Sequence, residues 1–399
     1  MEKFRSDHTR DPPEATAHHD GIRHATCADA MKRVVIIGGG FGGLACARAL
    51  RQCPSAEVVL LDRKPTSDFL PVLPDIVGGL ISPGSACVSL SSCAKRDGFR
   101  FIQDDVMHID MERRLICGQG GQREYDYLII AAGTQTNFYG SAEAARASFK
   151  LDSVSDAGRI SAAIAESSFD TAVVAGGGYT GIEIATNLRR RLARLNRNKK
   201  IIVAEASGSI LNTLPEWIPL YVQKNLSRMD VEVRVNCRVE SITNNRIVLS
   251  SGQVCEPAIL IWAAGVQTPP FVRDVPLAKT RQGRLVVDDF LRVSERVFSV
   301  GDTAAFAGFG QPLRMAVQFA VAQGTLTGEN VRRALRGEAL HPYRPRDLGY
   351  IVPMANRRAC GVVLNHNVRG FPAILLHYAM CVRRSTGINR KARILRDLL

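Results

Sequence analysis

The sequence predicts an α/β fold whose plan is written twice. Three observations carry that reading. Residues 34–62 (VVIIGGGFGGLACARALRQCPSAEVVLLD) and 173–205 (VVAGGGYTGIEIATNLRRRLARLNRNKKIIVAE) share one order of parts. Each gives an apolar run, a G-x-G-x-x-G turn, a helical stretch, a second apolar run and a terminal carboxylate. Each block then closes alike, in YDYLIIAAGTQTN (Tyr125–Asn137) and PAILIWAAGVQTPP (Pro257–Pro270). Beyond the second block come further strand-like runs and one long segment of helical period, which chain order sends back to the first block. Repetition at both ends of two similar blocks favours two related domains. The prediction is two Rossmann-like dinucleotide-binding domains, the second inserted in the first, followed by a C-terminal amphipathic helical segment.

The elements follow in order. Residues 1–30 lack periodicity and an apolar h-region, and read as a disordered leader. Met31-Lys-Arg-Val-Val reads as a natural start, with Met1 a mis-assigned initiator. The first strand runs from Arg33 to Ile37, a helix follows to about Leu50, and a second strand ends at Asp62. The first domain is placed at 31–150 and 275–335, the second at 151–274, and a C-terminal membrane-associating region at 336–399. RLVVDDFLRV and RVFSVGDTAAF read as strands, and MAVQFAVAQGTLTGENVRRALRG as one helix.

Composition narrows the function. The 399 residues allow two or three domains with sizeable cores. Hydrophobic residues at 46% and charged residues at 23% are ordinary for a globular protein. The formal charge of +14 is not, and from Val331 to Leu399 fourteen Lys and Arg face three acids. A basic tail suits anionic lipid, nucleic acid or plain solvation. The ten cysteines form no C-x-x-C pair or zinc-like spacing, which argues for reduced thiols in a cytosolic setting and against a metal. No run is long and apolar enough for a spanning helix.

Each fingerprint has a physical job. Gly38 allows the tight turn, Gly40 and the neighbouring Phe41 and Gly42 let backbone approach a pyrophosphate, and Gly43 lets helix and strand pack closely. The phosphates then meet free N–H groups at the positive end of the helix. Asp62 would accept from adenosine ribose hydroxyls. In the second copy the glycines are Gly176, Gly178 and Gly181, with Tyr179 and Thr180 between them, and the carboxylate is Glu205. An acid there repels a 2′-phosphate and favours NADH over NADPH. The basic run RRRLARLNRNKK is expected to face solvent. Glu183 is placed in the first turn of the second helix, where the first copy has Ala45. Either the helix dipole stabilises it, or it sits beside a nicotinamide.

From residue 31 to about 335 the chain resembles the two-dinucleotide flavoprotein reductases, and among them the type II NADH dehydrogenases, single-subunit NADH:quinone oxidoreductases. The residues carrying this are GGGFGGL, FLPVLPDIVGG (69–79), AAGTQT, GGGYTGIE, IWAAGV, VGDTA and VQFAVAQG. The resemblance implies tightly bound, non-covalent FAD in the first domain and NADH in the second. Hydride would pass from nicotinamide C4 to flavin N5, and two electrons then to a quinone on the flavin's other face, without proton pumping. It implies that Pro71 and Pro74 line the isoalloxazine and that Ala132, Gly133 and Gly265 belong to the dinucleotide sites. Gly301-Asp302 would meet the ribityl chain, and Glu183 is the acid near the nicotinamide. Gln318 and Gln323 match glutamines at the family's quinone pocket, and Ala322 departs from a third. Amides at the start of that helix would support reduced flavin.

Cysteines separate the rivals. Disulfide reductases of this fold need Cys-x-x-x-x-Cys after the first fingerprint, whereas Cys46 and Cys53 are seven apart and read as packing residues. Sulfide:quinone oxidoreductases need thiols near both flavin faces, yet residues 118–236 contain none. Cys360 is left to approach the flavin alone.

In the tail, Ile374, Leu375, Tyr378, Cys381 and Val382 share one helical face, and Ile394, Leu395, Leu398 and Leu399 another, edged by Arg390, Lys391, Arg393 and Arg396. Such faces suit an anionic membrane surface, with packing on the protein itself or a homodimer contact as alternatives. No aromatic–basic interleaving points to nucleic acid. The sequence thus predicts an FAD-dependent NADH:quinone oxidoreductase of a respiratory chain, peripheral on the cytoplasmic face of the cell membrane. The alternatives are a reductase of the same fold with a sulfide-derived or soluble protein acceptor, and an NADH-regulated interaction protein.

Overall fold

The computed structural model describes residues 31–307, 310, 312–385 and 387–398; the predicted leader lies outside the described residues. The first sheet begins with β1 (Lys32–Ile37), β2 (Ala56–Asp62), β3 (Arg100–Gln103) and β4 (Tyr127–Ile130). Helix α1 (Phe41–Ala49) follows β1, and a short α2 (Leu73–Val77) stands in the loop after β2. The second sheet holds β5 (Thr171–Ala175), β6 (Lys200–Ala204), β7 (Val231–Arg234) and β8 (Ala258–Trp262), with α3 (Tyr179–Arg194) after β5. The chain then returns to the first sheet with β9 (Arg292–Ser294) and β10 (Val297–Ser299).

The strand orders are β9-β10-β4-β1-β2-β3 and β8-β5-β6-β7. In each sheet the fingerprint strand lies between its second strand and its closing strand, all parallel. Parallel strands buried on both faces read as continuous apolar runs, which is why VVII and AVVA carry no alternation. The same backbone solution appears twice. Gly38 and Gly176 both have φ +107°, and a Cβ there would meet the closing strand's Ala131 or Ala263 carbonyl oxygen at 2.3 or 2.5 Å. Only glycine satisfies both the angle and the approach.

Two passages connect the units, and they pair with each other, Gln135 with Gln267 and Thr136 with Val266. Phe149 already bridges to Ile261 on the second sheet, while Phe271 and Val272 already pack under the first sheet. Both crossings come a few residues earlier in the chain than the expected 151 and 274.

Helix α4 (Val317–Leu335) packs across α1, where a Cβ on Gly324 would lie 2.1 Å from the Gly42 carbonyl oxygen. The chain stays on this core beyond residue 335. Tyr343 is buried there, edge-on to Phe306 at 5.0 Å, which moves the expected boundary at 336 further along.

The C-terminal region opens with an antiparallel meander, β11 (Gly349–Met354), β12 (Arg358–Val363) and β13 (His366–Gly370). Helices α5 (Phe371–Arg384) and α6 (Ile388–Leu398) follow. The tail corrects the sequence reading. Ile374, His377 and Cys381 of α5 and Ile394 of α6 face inward, and Cys381 and Ile394 share a core with Phe69, Ile182 and Leu188. An amphipathic face is blind to its partner, and here most of the expected face meets protein. What α5 and α6 leave outside is Leu375 and Leu395 of the expected faces together with Phe371 and Ile388, with Arg383 and Arg393 exposed on the same helices; Leu399 lies outside the described residues. The tail also fastens the loop after β2. Arg390 donates to the Ala86 carbonyl at 2.9 Å with its guanidinium 4.8 Å from the Phe69 ring, and Asp397 accepts from Ser82 N at 2.9 Å.

Candidate functional site

Two cavities meet at the centre of the molecule. The first, about 820 Å³, is lined by Gly38, Gly40, Phe41 and Gly42 of the first fingerprint together with Asp62. Ala132 and Gly133 from the end of β4, the Gly301-Asp302 turn after β10, and Pro71 complete much of its wall. Asp62 is fixed by accepting from Gly39 N at 2.7 Å and Lys64 N at 2.8 Å. Helix α1 starts at Gly40 without a capping side chain, and nothing lies within 4 Å of where a Gly40 Cβ would be. The bare amides of a helix start therefore open into a cavity, the arrangement that holds a pyrophosphate. Burial raises the Asp302 carboxyl above its ordinary range, with the Arg284 guanidinium opposing, and no protein group donates to it among the described residues. At the far end Met315, Ala316 and Val317 present the uncapped start of α4. Cavity size, glycine cradle, unspent carboxyl and helix start all fit a flavin dinucleotide.

The second fingerprint repeats this chemistry. Glu205 accepts from Gly177 N at 2.6 Å and Ser207 N at 2.8 Å, and Gly178 has the same open surroundings as Gly40. Gly181 closes the helix onto Gly176 as Gly43 closes onto Gly38, each with a would-be Cβ 1.9 Å from the carbonyl oxygen. Gly176, Gly178, Gly181, Glu205 and Gly265 line neither cavity; they edge the open end of the second sheet. Tyr139 reaches over Gly265 to donate to Ala264 O at 3.1 Å.

Glu183 is where the two units meet. It is the fifth residue of α3, past the first turn, so the helix-start dipole is not its partner, as one reading of the sequence had it. It lines both cavities, with Thr180 also on the first. Burial first, and the nearby Asp75 second, push it up to about 8, so it carries a proton at neutral pH.

The second cavity, about 610 Å³, shares Pro71, Glu183, Met315 and Ala316 with the first. Its apolar wall comes from Phe69, Leu313, Ile351 and Met380, and its polar wall from Gln318, Arg314, Arg384 and His377. Tyr179 belongs here and not to the dinucleotide cavity, edge-on to Tyr350 at 6.2 Å, because α3 starts with its first side chain turned toward the C-terminal meander. Gln318 donates to Asp347 Oδ1 at 3.0 Å and accepts from Leu348 N at 3.1 Å, tying α4 to β11. Gln323 does not line the cavity as the motif implied. It is buried on the opposite side of α4 and accepts from Gly301 N at 2.7 Å, so it shapes the Gly301-Asp302 turn. Ala322 is exposed and lines neither cavity, so its departure from the motif removes no cavity contact. Cys360 is buried in β12, its thiol raised by burial to about 12, and likewise reaches neither cavity. Cys381 does line the second, with its sulfur 3.6 Å from His377 Nε2.

Sequence reasoning missed the buried polar cluster behind this cavity. Asp75 Oδ1 accepts from Arg190 Nη2 and from the Tyr378 hydroxyl, both at 3.0 Å. Arg190 also meets Asn187, and Arg194 donates to Gly79 O at 2.6 Å. Part of the run expected to face solvent is therefore a clamp on the 69–86 loop. The available signal was an acid inside the apolar FLPVLPDIVGG.

Comparison with known proteins follows the geometry. Residues 32–324 match the family model described as pyridine nucleotide-disulphide oxidoreductase. The chain is 30% identical over 325 residues to a type II NADH:quinone oxidoreductase of Mycobacterium tuberculosis, covering 72% of this chain and 69% of that one. It is 26% identical over 390 residues to the type II NADH:quinone oxidoreductase of Haemophilus influenzae, covering 84% and 88%. In fold it is similar to NDH2 from Plasmodium falciparum in complex with NADH, with a TM-score of 0.82, 15% identity and coverage of 92% and 97%. The chain belongs to the pyridine nucleotide-disulphide oxidoreductase family, as an oxidoreductase of the type II NADH:quinone kind.

Proposed function

We propose that this chain is an FAD-dependent NADH:quinone oxidoreductase that works from a membrane surface. One observation carries the reading: a dinucleotide cavity and a second, largely apolar cavity share a wall at Pro71, Glu183, Met315 and Ala316. FAD in the first cavity would take hydride from NADH and give two electrons to an acceptor in the second. Everything else is the work of the protein. Gly38, Gly40 and Gly42 would cradle the pyrophosphate, Asp62 the ribose and Asp302 the ribityl chain. Glu205 would select NADH by repelling a 2′-phosphate. The start of α4 would favour negative charge at the reacting end of the flavin, a field fixed before reaction. Glu183, which lines both cavities and is pushed up to about 8, would supply the proton that a reduced quinone needs.

The apolar wall of Phe69, Leu313, Ile351 and Met380 suits a quinone headgroup. The outer stripe of α5 and α6, with its arginines, supports docking on the cytoplasmic face of a membrane. No helix among the described residues is long and apolar enough to cross one. The sulfide-type alternative needs paired thiols, and Cys381 is the one cysteine lining either cavity among the described residues.

Stopped-flow spectroscopy tests the reading. NADH should bleach the flavin absorbance of the loaded protein, and a short-chain quinone should restore it within the turnover time. Bleaching without restoration by any quinone would overturn the acceptor assignment.

A further inference from the structure

The second unit keeps a side chain where the first keeps an opening. The closing strands β4 and β8 stand in the same register to their fingerprint strands, Ile130 opposite Ile37 and Trp262 opposite Ala175. Each runs on into Ala-Ala-Gly, so Ala264 and Gly265 repeat Ala132 and Gly133. Ala132 and Gly133 line the dinucleotide cavity, and nothing lies within 4 Å of where a Gly133 Cβ would be. Over Gly265 the matching space is taken. A Cβ there would run into the Tyr139 hydroxyl, with the ring carbon that bears it 3.1 Å away.

The backbone that carries this ring is fixed, and the ring is not. Asn137 N donates to Gly265 O at 2.9 Å, the Trp262 indole donates to Asn137 O at 2.8 Å, and Phe138 lies tilted on Trp262 with centroids 5.8 Å apart. Asn137 Oδ1 accepts from Tyr139 N at 2.8 Å, and Tyr139 sits at φ +52°, in the left-handed region that bulky residues avoid. Its side chain is 66% exposed, and the hydroxyl is tied by a hydrogen bond to Ala264 O at 3.1 Å. So exposed a ring adds little to the core, and core packing does not account for a strained residue in this place. The anchors aim a phenol across the passage that the repeat assigns to a ligand.

Building on the reading of the second unit as the NADH site, we propose that Tyr139 is the gate of that site. Its phenol covers Ala264 and Gly265, and NADH seats once the ring has turned aside about its own Cα–Cβ bond. The ring returns to the Ala264 carbonyl as NAD+ leaves, so it competes with substrate and product alike. Exposed side chains change rotamer within nanoseconds, so the gate lowers affinity without slowing entry. Apparent affinity is reduced by the fraction of molecules in which the gate stands open. Gly133 carries no such cover in the first unit, as a cofactor that stays in place requires.

The test is stopped-flow bleaching of the flavin by NADH in full-length, flavin-loaded protein, read as an apparent Kd and a limiting rate. Tyr139→Ala empties the passage and should lower the apparent Kd roughly 5-fold, the weight of one hydrogen bond. The limiting rate and the reoxidation by a short-chain quinone should hold while the Kd moves. Tyr139→Phe keeps the ring, loses the tether, and should lower the Kd by a smaller factor. Tightening is the diagnostic, because damage to the loop would weaken binding. An apparent Kd unchanged or raised in both variants overturns the gate. Gly178→Asp separates this from the reading beneath it, since it should raise the apparent Kd for NADH. If it does not, NADH does not use the second cradle, and that reading fails with the gate. If Gly178→Asp weakens binding while both Tyr139 variants leave it unchanged, the gate alone fails.

Discussion

The two fingerprint units share their backbone chemistry and differ in what covers their helices. In both, a glycine at φ +107° turns under the closing strand, a later glycine presses the helix onto that turn, and a carboxylate catches the amide between. The covers diverge. Helix α1 lies against α4 through Gly324 and Gly328, whose absent side chains let the backbones meet, and Ala45 fits that contact. Helix α3 lies instead against α2, β11 and the core shared with the tail. The position matching Ala45 is Glu183, and it opens onto both cavities. A repeated phosphate cradle is thus made unequal by its neighbours. The first copy is walled in as a permanent cofactor site would be, and the second is left open at its edge.

Four perturbations sharpen that inequality. The largest is Glu183→Gln, which keeps the shape and removes the transferable proton. Quinone-driven reoxidation should fall roughly 100-fold, the usual contribution of a general acid, while flavin reduction by NADH stays within a few-fold. Equal loss in both halves would make Glu183 a structural residue.

Next is Glu205→Ala. Removing the carboxylate that faces a 2′-phosphate should narrow the NADH-over-NADPH preference in kcat/KM by roughly 10-fold. Unchanged selectivity would mean that another group excludes the phosphate.

A thermodynamic prediction concerns His377. Burial lowers it to about 4, so the folded protein holds the neutral ring. Its contribution is intact above the unfolded value near 6.5 and is lost as pH falls toward 4. Chemical denaturation between pH 7 and 4 should show a loss of about 3 kcal/mol in the wild type that is absent from His377→Gln. Parallel pH curves would remove His377 from the account.

The smallest effect belongs to the outer stripe. Leu375→Asp with Ile388→Asp should weaken flotation with anionic liposomes several-fold and leave turnover with a water-soluble quinone intact. Truncation after Gly370 is a harsher probe, because it also removes the Tyr378, Arg390 and Asp397 ties to the loop.

The phosphate cradles were legible in sequence because their physics is local: turn, helix start and carboxylate lie within about thirty residues of one another. The tail was half legible. Periodicity gives a helix an apolar face but not its partner, so Ile374 and Cys381 read as lipid-facing, whereas Ile374 packs on Ile351 and Ala359 of the meander and Cys381 shares a core with the loop and α3. Gln323 misled for a related reason: its motif position is on α4, but its orientation is set by Gly301, 22 residues earlier. Asp75 was illegible, since its meaning comes from Arg190 and Tyr378, which only the folded chain brings together.

The inequality of the copies can be tested at matched positions. Gly40 and Gly178 both have ordinary φ near −78° and nothing within 4 Å of a would-be Cβ, so an aspartate at either should fold and oppose a phosphate. The measurement is flavin content of the purified variant, followed by anaerobic titration with NADH. Gly40→Asp should be purified without flavin. Gly178→Asp should keep a full complement of flavin that NADH reduces only at concentrations at least roughly 10-fold higher. Flavin lost from Gly178→Asp and kept by Gly40→Asp would reverse the assignment of the two units.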